Sequence, residues 1–117
     1  MATIAKKLLS GSTDGEPIKV AATATAGTLL HTAVAGTTDT DLVDLYACNT
    51  QSADVTLTLE WGGTTSPDHL LEIVLPGEAG AIKITRQYPL QNGKIIRAFA
   101  SSANVVNIWG SVNRIDA

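Results

Sequence analysis

Cysteine, aromatic side chains and charge are all scarce in this chain of 117 residues. Its one cysteine, Cys48, cannot close an intrachain disulfide, which favours folding in a reducing compartment. Aromatic residues make up 4% of the chain and charged residues 16%, below the share of about 25% usual in soluble proteins. No apolar run approaches the roughly 18 residues of a membrane span, and the first ten residues do not resemble a signal peptide. We therefore expect neither a membrane protein nor a disulfide-stapled secreted one.

The charges are distributed unevenly along the chain. The net charge of −3 argues against nucleic-acid binding. No lysine or arginine lies between Lys19 and Lys83, and the acidic residues of that gap are Asp39, Asp41, Asp44, Asp54, Glu60, Asp68, Glu72 and Glu78. The later basic residues are Lys83, Arg86, Lys94, Arg97 and Arg114. Two outcomes stay open: the charges meet across strands within one chain, or subunits dock acidic to basic, head to tail.

Alternation of apolar and polar residues is the main structural signal. Over Val55–Trp61 it places Val55, Leu57, Leu59 and Trp61 on the core side, with Glu60 outward. Over 41–49 it places Val43, Leu45 and Ala47 together. Near the C-terminus, Asn92-Gly93 provides a turn, and two alternating runs over 94–100 and 105–115 predict a β-hairpin reversed at 101–104.

Turn signals recur every 8–12 residues or so, and no stretch has a sustained helical period. The pattern predicts an all-β, single-domain antiparallel β-sandwich, jelly-roll-like, or a small barrel, of about eight strands with an N-terminal arm. Residues 1–15 are interpreted as the arm and its hinge, because Gly11 and Gly15 allow the chain to swing, and residues 16–117 as the sandwich.

No set of residues predicts a catalytic, cofactor or metal site. His31, His69 and the single cysteine have no familiar zinc spacing, and Asp68 and His69 are neighbours that a strand would point to opposite faces. Asp39-x-Asp41-x-x-Asp44 resembles half of a calcium loop but lacks its glycine and its distal glutamate. We therefore expect a non-enzymatic protein without cofactors.

Interface residues are predicted in two places. On a free tail the apolar side chains of Ile4, Leu8 and Leu9 would stay exposed to solvent, so we expect a partner to cover them. Lys6 and Lys7 beside them suit an acidic partner surface. Trp109 shares its strand face with Asn107, Ser111 and Asn113, and a large aromatic side chain on a polar face is a candidate contact residue. The predicted interface comprises Ile4, Lys6, Lys7, Leu8, Leu9, Arg97, Trp109 and Arg114.

The last quarter of the chain resembles a known group of proteins. The strings Leu90-x-Asn-Gly, Ile96-Arg-Ala-Phe-Ala and Ala103-Asn-Val-Val-Asn-Ile-Trp-Gly-Ser-Val-Asn-Arg-Ile115 are similar to the end of small virion proteins encoded beside the capsid genes of tailed bacteriophages. The resemblance implies a capsid decoration (cement) protein on the capsid surface of a virion assembled in the host cytoplasm. It implies a homotrimer that binds the major capsid protein and no nucleic acid or membrane.

A different class of function stays open. A tail-tip, fibre or spike module that binds host surface glycans would need an exposed aromatic side chain and carboxylates around one group of loops. Trp109 or Trp61 with the loop over 62–67 would be the predicted site.

Overall fold

The computed structural model describes residues 3–116, and in this range it contains nine β-strands and no helix. The strands are β1 (Thr3–Leu8), β2 (Ile18–Lys19), β3 (Thr28–Thr32), β4 (Thr40–Asn49), β5 (Val55–Trp61), β6 (Leu70–Leu75), β7 (Ile82–Leu90), β8 (Ile95–Ala100) and β9 (Val106–Asp116). All pairings between them are antiparallel. The prediction of an all-β antiparallel chain is confirmed.

The strands form two sheets. Sheet A has the order β1-β9-β4-β7, and β2 follows β1 along the same side of β9. Sheet B has the order β3-β8-β5-β6. Successive strands mostly change sheet, which gives the strand order of a jelly roll. Among residues 3–116 no strand pairing joins the edges of the two sheets, so the fold is a sandwich rather than a closed barrel.

Period-two alternation builds the core between the sheets. Val43, Leu45, Leu57 and Leu59 are completely buried, and Val55 is nearly so. Each such side chain contributes about 1.5–3 kcal/mol through its burial. The inward faces predicted for β4 and β5 are therefore confirmed.

Trp61 occupies the margin of this core rather than its centre. It is half-buried and packs against the buried cluster. Its ring meets Tyr88 edge to face, with centroids 5.8 Å apart. The prediction of a core Trp61 therefore holds only in part.

The C-terminal hairpin prediction is wrong. β8 pairs with β3 and β5 in sheet B, whereas β9 pairs with β1, β2 and β4 in sheet A. Both strands have one apolar face. Because the chain crosses from sheet B to sheet A between them, both apolar faces point into the core between the sheets. The turn at Asn92-Gly93 is as predicted, with φ of 63° and 67°.

The structure differs from the interpretation of residues 1–15 as a separate arm. Thr3–Leu8 is a strand of its own domain, paired with β9 from Thr3 opposite Asp116 to Leu8 opposite Ser111. Leu9 then enters the core with an exposure of 2%. The hydrogen-bonded sandwich thus begins at Thr3 rather than near residue 16. Met1, Ala2 and Ala117 lie outside the described residues.

Glu60 points outward from sheet B, as predicted, but it is fully buried. The chain over 25–27 covers it. The Gly27 amide donates a hydrogen bond of 2.6 Å to the Glu60 carboxylate. The Thr25 hydroxyl donates a second hydrogen bond to the same group. Gly27 is required there because an added Cβ would lie 2.4 Å from the Ala98 carbonyl oxygen. The loop therefore seals one side of sheet B with a buried carboxylate.

Replacing Glu60 with glutamine should test this seal. The side-chain NH2 of glutamine would face either the Gly27 amide or the Thr25 hydroxyl, and both of these are donors. One buried donor would then lack an acceptor, which costs about 1–3 kcal/mol of stability. We expect Glu60→Gln to lose that much stability in urea unfolding. Glu16→Gln, at an exposed position, should change little. Equal stability of the two variants would show that the loop does not depend on the carboxylate.

Candidate interaction surface

Six apolar side chains share the solvent side of sheet A, and we call this surface the outer A face. Its members are Ile4, Leu8, Leu42, Tyr46, Trp109 and Ile115. The register places Ile4 opposite Ile115 and Tyr46 opposite Trp109, while their strand neighbours point into the core. All six are exposed or half-buried. A sheet face with this apolar content is typical of a contact surface.

Two aromatic rings form the centre of the outer A face. Tyr46 and Trp109 lie side by side across β4 and β9, with centroids 6.1 Å apart and planes inclined by 15°. The Lys83 ammonium lies 5.4 Å from the Tyr46 centroid and 3.4 Å from an Asp44 carboxylate oxygen. Neighbours therefore fix the positions of both rings before any partner binds, which reduces the entropy lost on association.

The edge of the outer A face is formed by β1. Ile4 is 71% exposed and Leu8 55%, and Lys6 lies between them on the same side of the strand. Lys7 points to the opposite side, where it is paired with Val112. Four of the predicted interface residues on this segment are thus exposed, as an interface requires. Leu9 is the exception, because its side chain belongs to the core.

Arg97 lies apart from these residues, on the outward side of sheet B. It lines a cavity of about 260 Å³ together with Gly62, Gly63 and Lys94. Its guanidinium donates a long hydrogen bond of 3.4 Å to the Gly27 carbonyl. Trp109 is on the other sheet, so the structure does not bring these two predicted residues together.

Arg114 has an intramolecular partner. It donates to both carboxylate oxygens of Asp41, at 2.7 and 3.1 Å. His31 contacts the same carboxylate through Nε2 at 2.8 Å, and its Nδ1 accepts from the Ser10 amide at 3.0 Å. Since Nδ1 accepts, Nε2 carries the proton and donates to Asp41. Arg114 therefore joins strands within the chain, and its side chain remains 29% exposed.

Asp41 has a pKa below its ordinary value of 3.8. Burial opposes this shift, because it disfavours the charged form, but the hydrogen bonds from Arg114 and His31 and the Arg114 charge outweigh it. The same contact raises the pKa of Arg114. This buried cluster (Asp41, His31 and Arg114) is closed to solvent at the carboxylate and the imidazole, which suits a structural role.

Two residues of the acidic segment form ion pairs with basic residues of the same chain. Asp41 meets Arg114 and Asp44 meets Lys83, as in the first of the two outcomes left open. Asp41 points inward and Asp44 outward, so the two cannot share one cation as a calcium loop would require. Among residues 3–116, no group of three potential ligands could hold a metal ion.

Sequence reasoning missed one exposed apolar strand. In β6, Leu71 is 38% exposed and Val74 63% exposed, at the edge of sheet B. The signal was present, since Leu70–Leu75 is apolar at every position except Glu72. Because the run is apolar at both odd and even positions, it predicts a strand without indicating which side is buried or that the strand lies at an edge.

Comparisons with known proteins add no relatives. No family model, curated protein or solved structure matches this chain. Nor does the described part of the chain contain a helix that could cross a membrane.

The buried cluster predicts a specific pH dependence. Asp41→Asn leaves Arg114 without its carboxylate and should cost about 3 kcal/mol at neutral pH. Because the pKa of Asp41 is lowered in the folded protein, its contribution is complete above the ordinary value of 3.8 and is lost as the pH falls through the folded value. The stability gap between the native protein and Asp41→Asn should therefore narrow below about pH 4. Urea unfolding of both proteins across this range measures the gap, and a gap independent of pH would contradict the assignment.

Proposed function

We propose that the protein is a non-enzymatic structural component of a tailed-phage virion, a capsid decoration (cement) protein that acts as a homotrimer. Its partner is the major capsid protein, and its place is the capsid surface. The sequence resemblance introduced this function, and the outer A face supports it.

One observation carries the proposal. The longest stretch with the phage resemblance, Ala103 to Ile115, contains nearly all of β9, which lies between β1 and β4 in sheet A. The outward side chains of β9 include Trp109 and Ile115. The longest stretch of the resemblance thus supplies two of the six side chains of the outer A face, whereas the stretch Ile96 to Ala100 lies in β8 of sheet B.

The mechanism is mechanical. A sheet face with several apolar side chains suits a broad contact across a junction between coat subunits, and each subunit of an oligomer presents one such face. Linked contacts raise one another's effective concentration, so modest individual affinities combine into tight binding. Internal pressure would then have to break several contacts together before the capsid could open.

Glycan binding by a tail module is the second candidate. The half-buried Tyr46–Trp109 pair on the solvent side of sheet A favours it, since aromatic rings stack on sugars. Of the two tryptophans predicted for the loop site, Trp109 lies on sheet A, whereas Trp61 directly precedes the loop and is half-buried. The cavity beside Gly62 and Gly63 has cationic rather than acidic lining residues, Lys94 and Arg97. Jelly rolls serve in both capsid and lectin domains, so the fold does not choose between them.

Replacing Trp109 tests the proposal directly. Trp109→Ala removes the largest side chain of the outer A face, and central aromatic contacts are typically worth about 2 kcal/mol or more in binding. We expect its affinity for particles stripped of the protein to fall about thirtyfold. Co-sedimentation of labelled protein with such particles measures this.

Leu29→Ala is the matched control. Leu29 is also an exposed apolar residue, but it lies on sheet B. It should leave particle binding unchanged. Equal binding by both variants would contradict the role of the outer A face, and binding that follows a host glycan instead would favour the tail module.

A further inference from the structure

Exposed apolar side chains concentrate on two edge strands. Of the six large hydrophobic residues exposed in the described chain, Ile4 and Leu8 belong to β1, and Leu71 and Val74 belong to β6. Both strands have six residues, and both pair with their neighbours without a register shift. Each therefore offers one regular, unpaired line of backbone amides and carbonyls, a ready template for strand addition.

The other two edges are unsuitable for such pairing. In β7, Pro89 lacks an amide proton, Gln87 has a φ of 55°, and the register shifts twice. β3 has a bulge between Leu29 and His31, and the chain at Ser10 and Gly11 already bonds to its edge. Proline and bulges are the usual means by which proteins block edges. Among the four terminal strands in the sheet orders of residues 3–116, only β1 and β6 lack these features.

The two regular edges lie on opposite sides of the sandwich. β1 is on the side of β3, since Gly11, just beyond β1, bonds to Leu30. β6 is on the side of β4 and β7, since the Asn49 side chain bonds to the Leu75 carbonyl. One subunit can therefore pair with a second copy through one of these edges while its other edge stays free.

We propose that β1 of one subunit pairs antiparallel with β6 of the next. One register aligns the two strands over their full length, with Ile4 opposite Val74, Lys6 opposite Glu72 and Leu8 opposite Leu70. The three β1 side chains lie outward on sheet A, and the three β6 side chains lie outward on sheet B. Outward faces thus continue into outward faces, as a continuous sheet requires.

Charge and burial both favour this register. An ion pair, Lys6 with Glu72, is flanked on each side by an apolar pair. Within residues 3–116, neither Lys6 nor Glu72 has an ion-pair partner. The pairing covers Ile4 and Val74, which are 71% and 63% exposed in the single chain. Directly opposed side chains of this kind stabilise strand pairs.

The contact is heterologous, because a different surface is used on each partner. Such contacts close into rings or continue as filaments. This inference rests on the proposed function only in taking the oligomer to be the homotrimer, for which three copies would close the ring. The test below uses purified protein without particles, so it can fail while the particle-binding test succeeds, and the reverse.

Charge reversal provides the experiment. Sedimentation equilibrium should show the native protein as an oligomer. Lys6→Glu and Glu72→Lys should each weaken association by about tenfold or more, because like charges then face each other. The double variant Lys6→Glu/Glu72→Lys should regain the native size. Lys7→Glu makes the same charge change one residue away, on the other side of β1, and should have a smaller effect than Lys6→Glu.

Mixing the two single variants tests the head-to-tail arrangement. The carboxylate introduced by Lys6→Glu can pair with the ammonium introduced by Glu72→Lys, and the unchanged Lys6 with the unchanged Glu72, but only if the two variants alternate. Mixing should therefore restore association into even-numbered or open assemblies and not into trimers. A native protein that is monomeric at every concentration, or a double variant no better than the single ones, would overturn the proposal. In that outcome Lys6 serves only to protect an edge from pairing.

Discussion

The arrangement of this sandwich depends on the hydrogen bonds that the Asp41 carboxylate accepts. This carboxylate is completely buried, and it accepts hydrogen bonds from Arg114 in β9, from His31 in β3 and from the Val34 amide. It thereby joins sheet A to sheet B at one end of the molecule. Through the other nitrogen of His31, it also holds the backbone at Ser10, two residues beyond the end of β1. A buried charge is tolerable only when such partners are all present. This network, built by residues far apart in sequence, therefore anchors the end of β1, which pairs with the edge of β9 along its full length.

This placement gives the molecule its two kinds of surface. Fixing β1 beside β9 extends sheet A by one strand and widens the outer A face with Ile4 and Leu8. The same strand presents an unpaired edge to solvent. The face and the free edge point in different directions, so in the proposed role one subunit would meet a capsid through the face and a second copy through the edge. Neither contact requires a concave site or a titrating group.

Local patterns in the sequence predicted the positions of the strands along the chain well, but they predicted poorly which strands pair with each other. Alternation identified β5 at its observed bounds and the buried sides of β4 and β5, because burial of Leu57 or Val43 repeats every second residue. It could not place β1, whose residues are exposed on both sides and so carry no burial pattern. Nor could it show that Glu60 is buried, because the covering residue Gly27 is 33 positions away. The pairing of Arg114 with Asp41 spans 73 positions, beyond any local signal. For the same reason the sequence did not show that Leu9 is buried, that Arg114 pairs within the chain, or that β6 lies at a sheet edge.

The copy number of the protein in purified phage particles tests the central claim most directly. A decoration protein that reinforces the head must be present at a level comparable with the coat protein, because each capsomer junction needs its own contact. Quantitative mass spectrometry of intact particles, with isotope-labelled peptides of both proteins as standards, gives the ratio. The account predicts a ratio of the same order as the number of capsomer junctions per coat subunit. A handful of copies per particle would assign the protein to the tail, and its absence from particles would contradict a virion role altogether.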